Sequence, residues 1–178
     1  MNKTFQSFLD ASYRYNYQNG PNVITSEGQA LKEGINCIGL MHLLVKRLFN
    51  ISLPQNLRVL EIYNDNPYFK TVSETDELQM GDVLFLGREQ LPDYINLYKP
   101  RYDEGKNLIN EDEGKNIIGD KHAGYHTVMY TGERDENSTP LVIDIEKAAD
   151  NVRIWILKEL MKNEKYKVLY RIKRIVDN

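Results

Sequence analysis

Apolar positions follow helical spacing in the first third of the chain and alternate in the second half. From Thr4, a predicted N-cap, spaced aromatic and aliphatic residues up to Tyr13 predict a short amphipathic helix that ends by Asn19-Gly20-Pro21. The run from Cys37 to Phe49 is apolar nearly all round, which is typical of a helix buried within a domain. The stretch 55–63 fits a helix or a strand equally well.

Later segments rich in β-branched and aromatic residues, bounded by turn residues, predict strands. They cover 82–86, 125–130, 141–145, 152–156 and 167–176. Helices followed by strands, without regular alternation, favour an α+β domain with a mostly antiparallel sheet of about five strands. The length of 178 residues, with 41% hydrophobic residues, suits a single domain over 1–178.

One long polar segment, about 88–121, interrupts the predicted strands. A loop of this length is unusual in a compact domain, so we expect an insertion: a lid, a segment that binds a protein partner, or a partly disordered stretch. Its acidic run Glu111-Asp112-Glu113 is expected to be solvated surface.

Charge gives little reason to expect a polyanionic partner. The formal net charge of -3 makes no electrostatic case for nucleic acid or an anionic membrane, and we expect neither. The basic stretch 171–174 alternates with apolar residues and is expected to be an exposed strand face. The first residues lead into no apolar signal segment, which predicts a protein that is cytoplasmic as synthesised, with export by a non-classical or effector route left open.

Cys37 is the only cysteine, so an intrachain disulfide is impossible. Its predicted place is the N-terminus of an apolar helix, where free N–H groups and the helix dipole favour a thiolate. A nucleophile fits this position. The alternative is a small buried hydrophobic residue, the usual role of a free cysteine.

A cysteine nucleophile needs a base, and His126 is the best placed of three histidines. Alternation puts it on one face of a strand with Val128 and Tyr130, so that it faces the core if they do. His42 should point away from Cys37, and His122 lies in a predicted turn. The alternative for His126 is a strand histidine hydrogen-bonded within the core.

Asp144 is the candidate that would orient this base. It is a carboxylate in the middle of an apolar strand, where an unpaired charge would be costly. If its strand pairs with the strand of His126, it can accept the second N–H of the imidazole. The alternative is a solvent-facing position on an edge strand. Glu146 and Asp150 are weaker replacements.

No other chemistry is strongly indicated. A helical metal site of His122 and His126 is improbable because the sequence between and after them favours a strand. No phosphate-binding or dinucleotide-binding glycine pattern follows a strand, and we expect no cofactor and no metal. The single tryptophan, Trp155, is expected to be part of the core.

Three segments together resemble the signature segments of the NlpC-type cysteine peptidases, in the family's order. They are Asn36-Cys37-Ile38-Gly39-Leu40, 78–85 (Leu-Gln-Met-Gly-Asp-Val-Leu-Phe) and 126–132 (His-Thr-Val-Met-Tyr-Thr-Gly). In the family they run roughly Asp-Cys-Ser-Gly-Leu, Leu-x-Pro-Gly-Asp-Leu-Val-Phe-Phe and His-Val-Gly-Ile-Tyr-x-Gly. The segment 15–20 is also similar to the family's Pro-Tyr-x-Trp-Gly-Gly. The resemblance covers about Tyr13 to Ile145.

This resemblance implies a papain-like fold in which the helix of the nucleophile packs on the sheet that carries the histidine. Carried onto this chain, it makes Cys37 the nucleophile, His126 the base and Asp144 the third member, a position that the family usually fills with histidine, asparagine or glutamine. The implied reaction cleaves an amide or isopeptide bond through an acyl-enzyme. Residues expected to contact the substrate are Tyr15, Asn36, Ile38 and Tyr125.

Two departures bear on the substrate. Many family members cut γ-D-glutamyl bonds in peptidoglycan peptides, and the aspartate before their cysteine helps to hold a substrate amine. Asn36 cannot supply that charge, and Ile38 replaces a serine. A peptide or peptidoglycan-like substrate is therefore one expectation. The others are a papain-like acyltransferase, transglutaminase or deamidase, including a delivered effector or toxin, and a non-catalytic binding module.

Overall fold

The protein is a mixed α+β chain built on one open antiparallel sheet. In this computed structural model, residues 1–88, 93–118 and 126–176 are described. The sheet has six strands, in the order β1-β6-β2-β3-β4-β5, and every neighbouring pair is antiparallel. The strands are β1 Phe69–Val72, β2 Val83–Gly87, β3 His126–Arg134, β4 Pro140–Glu146, β5 Asn151–Ile156 and β6 Val168–Ile175.

Most helices precede the strands, as the sequence predicts. They are α1 Lys3–Asp10, α2 Glu27–Glu33, α3 Cys37–Phe49, α4 Val59–Tyr63, α5 Glu111–Ile118 and α6 Leu157–Leu160, with a short 3-10 helix at Asp93–Asn96. The α+β class is confirmed, and so are the bounds of α3. The sheet has six strands rather than about five, because β1 was not predicted. Within the described residues no helix is long and apolar enough to cross a bilayer.

The first helix begins and ends earlier than predicted. Its N-cap is Asn2, whose side chain accepts a hydrogen bond from the Thr4 N–H at 2.8 Å, so Thr4 lies within the helix. Tyr13 lies beyond the end of α1, and its ring stacks on Phe8 with centroids 5.4 Å apart. The helical spacing of apolar residues therefore extends to Tyr13, which packs on α1 without being part of it.

Both faces of the sheet are covered, by different parts of the chain. One face carries Phe85, Met129 and Ile143, which join the large core that contains α1, α3 and α4. The other face carries Val128 and Val142, which join a smaller core that includes residues of α6. The central strands are therefore continuous runs of apolar residues rather than alternating apolar and polar residues, because both of their faces are buried. Trp155 packs against the smaller core, as predicted.

The basic stretch 171–174 is not an exposed strand face, so that prediction is wrong. Lys173 has no exposed surface, and its ammonium group donates to the Asn64 carbonyl oxygen at 2.9 Å and to Thr71 Oγ1 at 3.1 Å. Arg174 pairs with Asp82 at 2.7 Å, and Arg171 stacks on the ring of Tyr63 at 4.1 Å. Partners on neighbouring segments satisfy each cation, which alternation alone cannot reveal.

The described part of the 88–121 segment is integrated into the domain. Ile95 and Tyr98 have no exposed surface and belong to the large core. Gly114 of α5 sits so close to the ring of Tyr98 that an added Cβ would lie 2.7 Å from it. Asp112 and Glu113 are exposed, which confirms the acidic run as solvated surface.

Candidate active site

Cys37 is the first residue of α3, and the residue before it fixes the start of the helix. The Asn36 side chain accepts a hydrogen bond from the Gly39 N–H at 2.9 Å and donates one to the Tyr17 carbonyl oxygen at 3.1 Å. An asparagine is among the preferred N-caps for this reason. Gly39 lets the first turn approach the loop before it, since an added Cβ would lie 3.1 Å from the Asn19 carbonyl oxygen. Cys37 is thus held, half-buried, at the positive end of the longest helix.

His126 and Asp144 form a buried pair on neighbouring strands. Nε2 of His126 lies 2.6 Å from Oδ2 of Asp144, and the two residues are 5% and 1% exposed. Met129 pairs with Ile143, so His126 and Asp144 are diagonal neighbours on one face of the β3–β4 ladder. The predicted contact is confirmed. The alternative, a solvent-facing aspartate on an edge strand, is wrong because β4 lies between β3 and β5.

The imidazole also meets the thiol. His126 and Cys37 shift each other's pKa, and since Nε2 faces Asp144, Nδ1 is the ring nitrogen left to interact with the sulfur. Thr127 is also close enough to the sulfur to contribute to lowering the pKa of the thiol. Thr127 was not predicted as a site residue, although it follows the candidate base directly and points to the face of the sheet that α3 covers.

Electrostatics in this buried group favour an ion pair. Burial raises the pKa of the Cys37 thiol. The interaction with His126, and after it that with Thr127, outweighs burial, so the pKa is lowered below its ordinary value. Burial likewise lowers the pKa of His126, and the hydrogen bonds to Asp144 and Cys37 more than compensate, so that the pKa is raised. Both shifts favour thiolate beside imidazolium, the form in which cysteine is a nucleophile.

Tyr166 covers the histidine and was not predicted. Its ring stacks on the imidazole with centroids 4.5 Å apart and planes 28° apart, and its hydroxyl donates to Glu146 Oε2 at 3.0 Å. Tyr166 comes from the turn after α6, forty positions along the chain from His126. No spacing or motif links the two, so only the fold reveals the contact.

His126 is buried on the same face of β3 as Val128 and Tyr130, as alternation predicts, but α3 does not cover that face. Val128 and Tyr130 lie in the smaller core, whereas α3 packs against the face that carries Met129. His126 is the first residue of β3, so it lies at the end of the strand. There it lines the same cavity as Cys37.

Cys37 opens on a cavity of about 620 Å³. Three of the residues predicted to contact a substrate, Tyr15, Asn36 and Ile38, line it together with His126 and Tyr166. Burial, followed by the neighbouring Cys37 charge, raises the pKa of Tyr15. Tyr125, the fourth predicted contact, lies outside the described residues.

The other candidate residues have structural partners. Nε2 of His42 donates to the Leu57 carbonyl oxygen at 2.6 Å, and burial lowers its pKa to about 4, so it is a neutral core histidine. Asp150 accepts from the Tyr15 N–H at 2.9 Å and pairs with Arg14. Glu146 accepts a hydrogen bond from the Tyr166 hydroxyl. Neither Asp150 nor Glu146 therefore replaces Asp144 as the partner of His126. His122 lies outside the described residues, and among those described no cluster suits a metal ion.

The glycine and aspartate of the second signature segment brace the sheet away from the cavity. Gly81 adopts a positive φ of 92° at the turn before β2, and its N–H donates to the Tyr130 carbonyl oxygen at 2.9 Å. Asp82 accepts from the Gln79 N–H at 2.8 Å and pairs with Arg174. This Gly-Asp pair is therefore explained by folding.

Comparison with models of protein families gives no match, and comparison with curated proteins gives none either.

Proposed function

We propose that this protein is a thiol hydrolase that cleaves an amide or isopeptide bond through a Cys37-His126-Asp144 triad in a papain-like arrangement. The observation that carries the proposal is the hydrogen bond between His126 and a fully buried carboxylate, with His126 and Cys37 lining the same cavity. A buried aspartate costs free energy unless it is paired, so its place behind His126 is best explained by the work of that histidine.

The reaction follows from the positions of these groups. The Cys37 thiolate attacks the carbonyl carbon of the substrate, and a tetrahedral oxyanion forms. The backbone N–H of Cys37, one of the N–H groups of the first turn without an intrahelical partner, stabilises that oxyanion. The His126 imidazolium then protonates the leaving amine, and an acyl-enzyme remains.

Water completes the cycle. Neutral His126 removes a proton from a water molecule, which attacks the thioester and releases the acid and the thiol. Asp144 stays ionised and holds the imidazole with Nδ1 toward the sulfur. An amine in place of water would make the same residues a transferase, so the acceptor decides between the two classes.

The proposal is tested by product analysis. Wild-type protein and Cys37→Ala are incubated with cell-wall fragments and with a panel of amide and isopeptide substrates, and products are identified by mass spectrometry. We expect turnover of at least one substrate by the wild type and none by Cys37→Ala. Equal turnover by the two proteins would exclude Cys37 as the nucleophile. Ligation of an added amine would assign the transferase reaction instead.

A second measurement separates an enzyme from a binding module. The rate of Cys37 alkylation by iodoacetamide is measured between pH 5 and 9. A paired thiolate reacts faster near neutral pH than an ordinary thiol, whose pKa is about 8.5. A Cys37 that reacts no faster than free cysteine near neutral pH would contradict the proposal.

A further inference from the structure

The charged residues around the cavity divide into those already paired and those left available. Three cations line it: Arg58, Lys147 and Lys165. Two carboxylates line it as well, Glu61 and Glu146. The charges that a substrate would meet depend on which of these five side chains already have partners.

Both carboxylates are used within the protein. Glu61 has no exposed surface, and its Oε2 accepts the N–H of Arg58 at 3.1 Å at the start of α4. Glu146 accepts the hydroxyl of Tyr166 through Oε2 and keeps its negative charge. The Asn36 oxygen caps α3 and carries no charge. Glu146 is therefore the one carboxylate of these two that a substrate ammonium group could meet, against three cations.

Arg58 is held at the cavity wall by a carboxylate buried behind it. Its Nη2 lies 3.6 Å from Oε1 of Glu61, and Nε and Nη2 are both buried without a hydrogen-bond partner among the described residues. The side chain as a whole is 26% exposed. The buried carboxylate beside the guanidinium limits where that cation can go, so Arg58 adds a fixed positive charge at the cavity wall.

The two lysines line the same cavity as the histidine. Lys147 follows Glu146, and Lys165 precedes Tyr166, the residue stacked on His126. Both are exposed, and within the described ranges neither ammonium group has an ion-pair or hydrogen-bond partner. In a chain with more acidic than basic residues, this concentration of available cations around one cavity is a local feature.

We propose that the cavity takes an amide substrate that carries a carboxylate near the scissile bond, with Arg58, Lys147 and Lys165 as the residues that select it. This inference rests on the proposed function, because it names the substrate class of the same site. Charged side chains lining a cleft raise the local concentration of an oppositely charged ligand.

The test compares two reagents that alkylate Cys37 by the same step. The thiolate forms an S–C bond and iodide leaves, whether the reagent is anionic iodoacetate or neutral iodoacetamide. We measure the ratio of their second-order rate constants. The His126 cation raises this ratio in any cysteine–histidine pair, so the variants decide, not the absolute value.

We expect Lys147→Gln and Lys165→Gln each to lower the ratio about two-fold at low ionic strength, the effect of one unit charge acting over about 10 Å through solvent. Lys32→Gln, which removes an exposed lysine of α2 outside the cavity, should leave the ratio unchanged. Salt should reduce the wild-type ratio toward that of the variants.

Arg58 is tested with its partner, because Arg58→Gln alone would leave a buried charge. The double variant Arg58→Gln/Glu61→Gln keeps the pair neutral, and we expect it to lower the ratio, whereas Arg58→Lys should preserve most of it. An iodoacetate-to-iodoacetamide ratio that none of these variants changes would overturn the inference. If iodoacetamide labelling were still fast, the proposed function would stand. A Cys37 slow toward both reagents would remove the proposed function and this inference with it.

Discussion

At the scale of single residues, the ionisation of Cys37 and His126 depends on the Asp144 carboxylate. Cys37 would be an ordinary half-buried cysteine without His126, and His126 would be a neutral buried histidine without Asp144. Burial alone opposes charge on both the thiol and the imidazole, and hydrogen bonding together with the charges of the partners reverses that preference. For His126, the hydrogen bond to Asp144 does most to raise the pKa, and the charge of Asp144 acts in the same direction.

Replacing Asp144 by asparagine tests this dependence. Asp144→Asn keeps the size of the side chain but removes the charge that raises the His126 pKa, so the imidazole loses its proton at lower pH and the Cys37 pKa rises. We expect the alkylation rate at pH 6 to fall about 10-fold, equivalent to a shift of about one pKa unit. Iodoacetamide labelling across pH measures it.

The matched control is Asp112→Asn, since the Asp112 side chain is 94% exposed and lies in α5. It removes the same formal charge and should leave the labelling profile unchanged. An Asp144→Asn profile identical to that of the wild type would show that the carboxylate does not support the ion pair.

Tyr166 is expected to position the imidazole through its ring rather than its hydroxyl. Tyr166→Phe loses the hydrogen bond to Glu146 but keeps the stacked face, so we expect a change in the labelling rate of less than about three-fold. Tyr166→Ala exposes His126 and its bond to Asp144 to water, and the rate near neutral pH should fall about 10-fold with a shifted pH profile. Equal effects of the two variants would argue against stacking.

Of the residues around the thiol, Asp144 was predictable because a carboxylate in an apolar strand needs a partner, whereas Thr127 was missed although it follows His126 directly in β3. Tyr166 carries no local signal, and its role depends on which segments meet at the cavity. The Arg58–Glu61 pair is a local contact at the start of α4, but its place at the cavity wall is set by the fold.

At the scale of elements, α3 was predictable, whereas several shorter elements, β1 and α2 among them, were not. The apolar run of α3 is long and ends at Asn50, which adopts the left-handed conformation common at helix ends. Strand β1 has four residues with only its ends buried, too few to show alternation. Helix α2 buries only Ala30, so it has no apolar stripe that would predict a helix. Its one sequence signal is the N-cap pattern of Ser26 and Gln29.

The cap of α3 should control both stability and reactivity. Asn36→Ala removes the acceptor for the Gly39 N–H, and we expect the free energy of unfolding to fall by about 1 kcal/mol. Asn36→Asp keeps the acceptor and adds a charge that suits the helix N-terminus, so stability should be equal or higher. That same charge beside Cys37 disfavours the thiolate, so labelling near neutral pH should slow.

Denaturant unfolding and iodoacetamide labelling together check this separation. Ser26→Ala, at the N-cap of α2, should lower stability by a similar amount with no change in labelling. If Asn36→Asp lowered stability and left the labelling rate unaltered, the assignment of Asn36 as the cap beside the thiol would be wrong.

At the scale of the whole molecule, the sheet is buried on both faces, and this leaves a lysine enclosed on the face that α4 adjoins. Lys173 has no exposed surface, and its described contacts are with neutral oxygens. Burial, followed by the nearby Arg171 charge, lowers its pKa to about 8 from an ordinary value of 10.5. The folded protein therefore binds this proton less tightly than the unfolded chain.

The sign of the pH dependence follows. Between pH 8 and 10.5 the unfolded chain holds the Lys173 proton and the folded protein has largely released it, so this residue makes stability rise with pH across that range. Below pH 8 both states are protonated and the full cost of the buried charge remains. Between pH 7.5 and 9.5 we expect Lys173 to contribute a rise of about 1–2 kcal/mol to the free energy of unfolding.

Comparing wild type with Lys173→Met isolates that contribution, because His126 and the buried tyrosines titrate in both proteins. Guanidinium unfolding at pH 7.5, 8.5 and 9.5 gives the free energy of each. We expect Lys173→Met to gain stability relative to wild type at pH 7.5 and to lose most of that advantage by pH 9.5. Lys70→Met, on an exposed position of β1, should run parallel to wild type. A constant difference between Lys173→Met and wild type across this range would mean that Lys173 keeps its proton on folding.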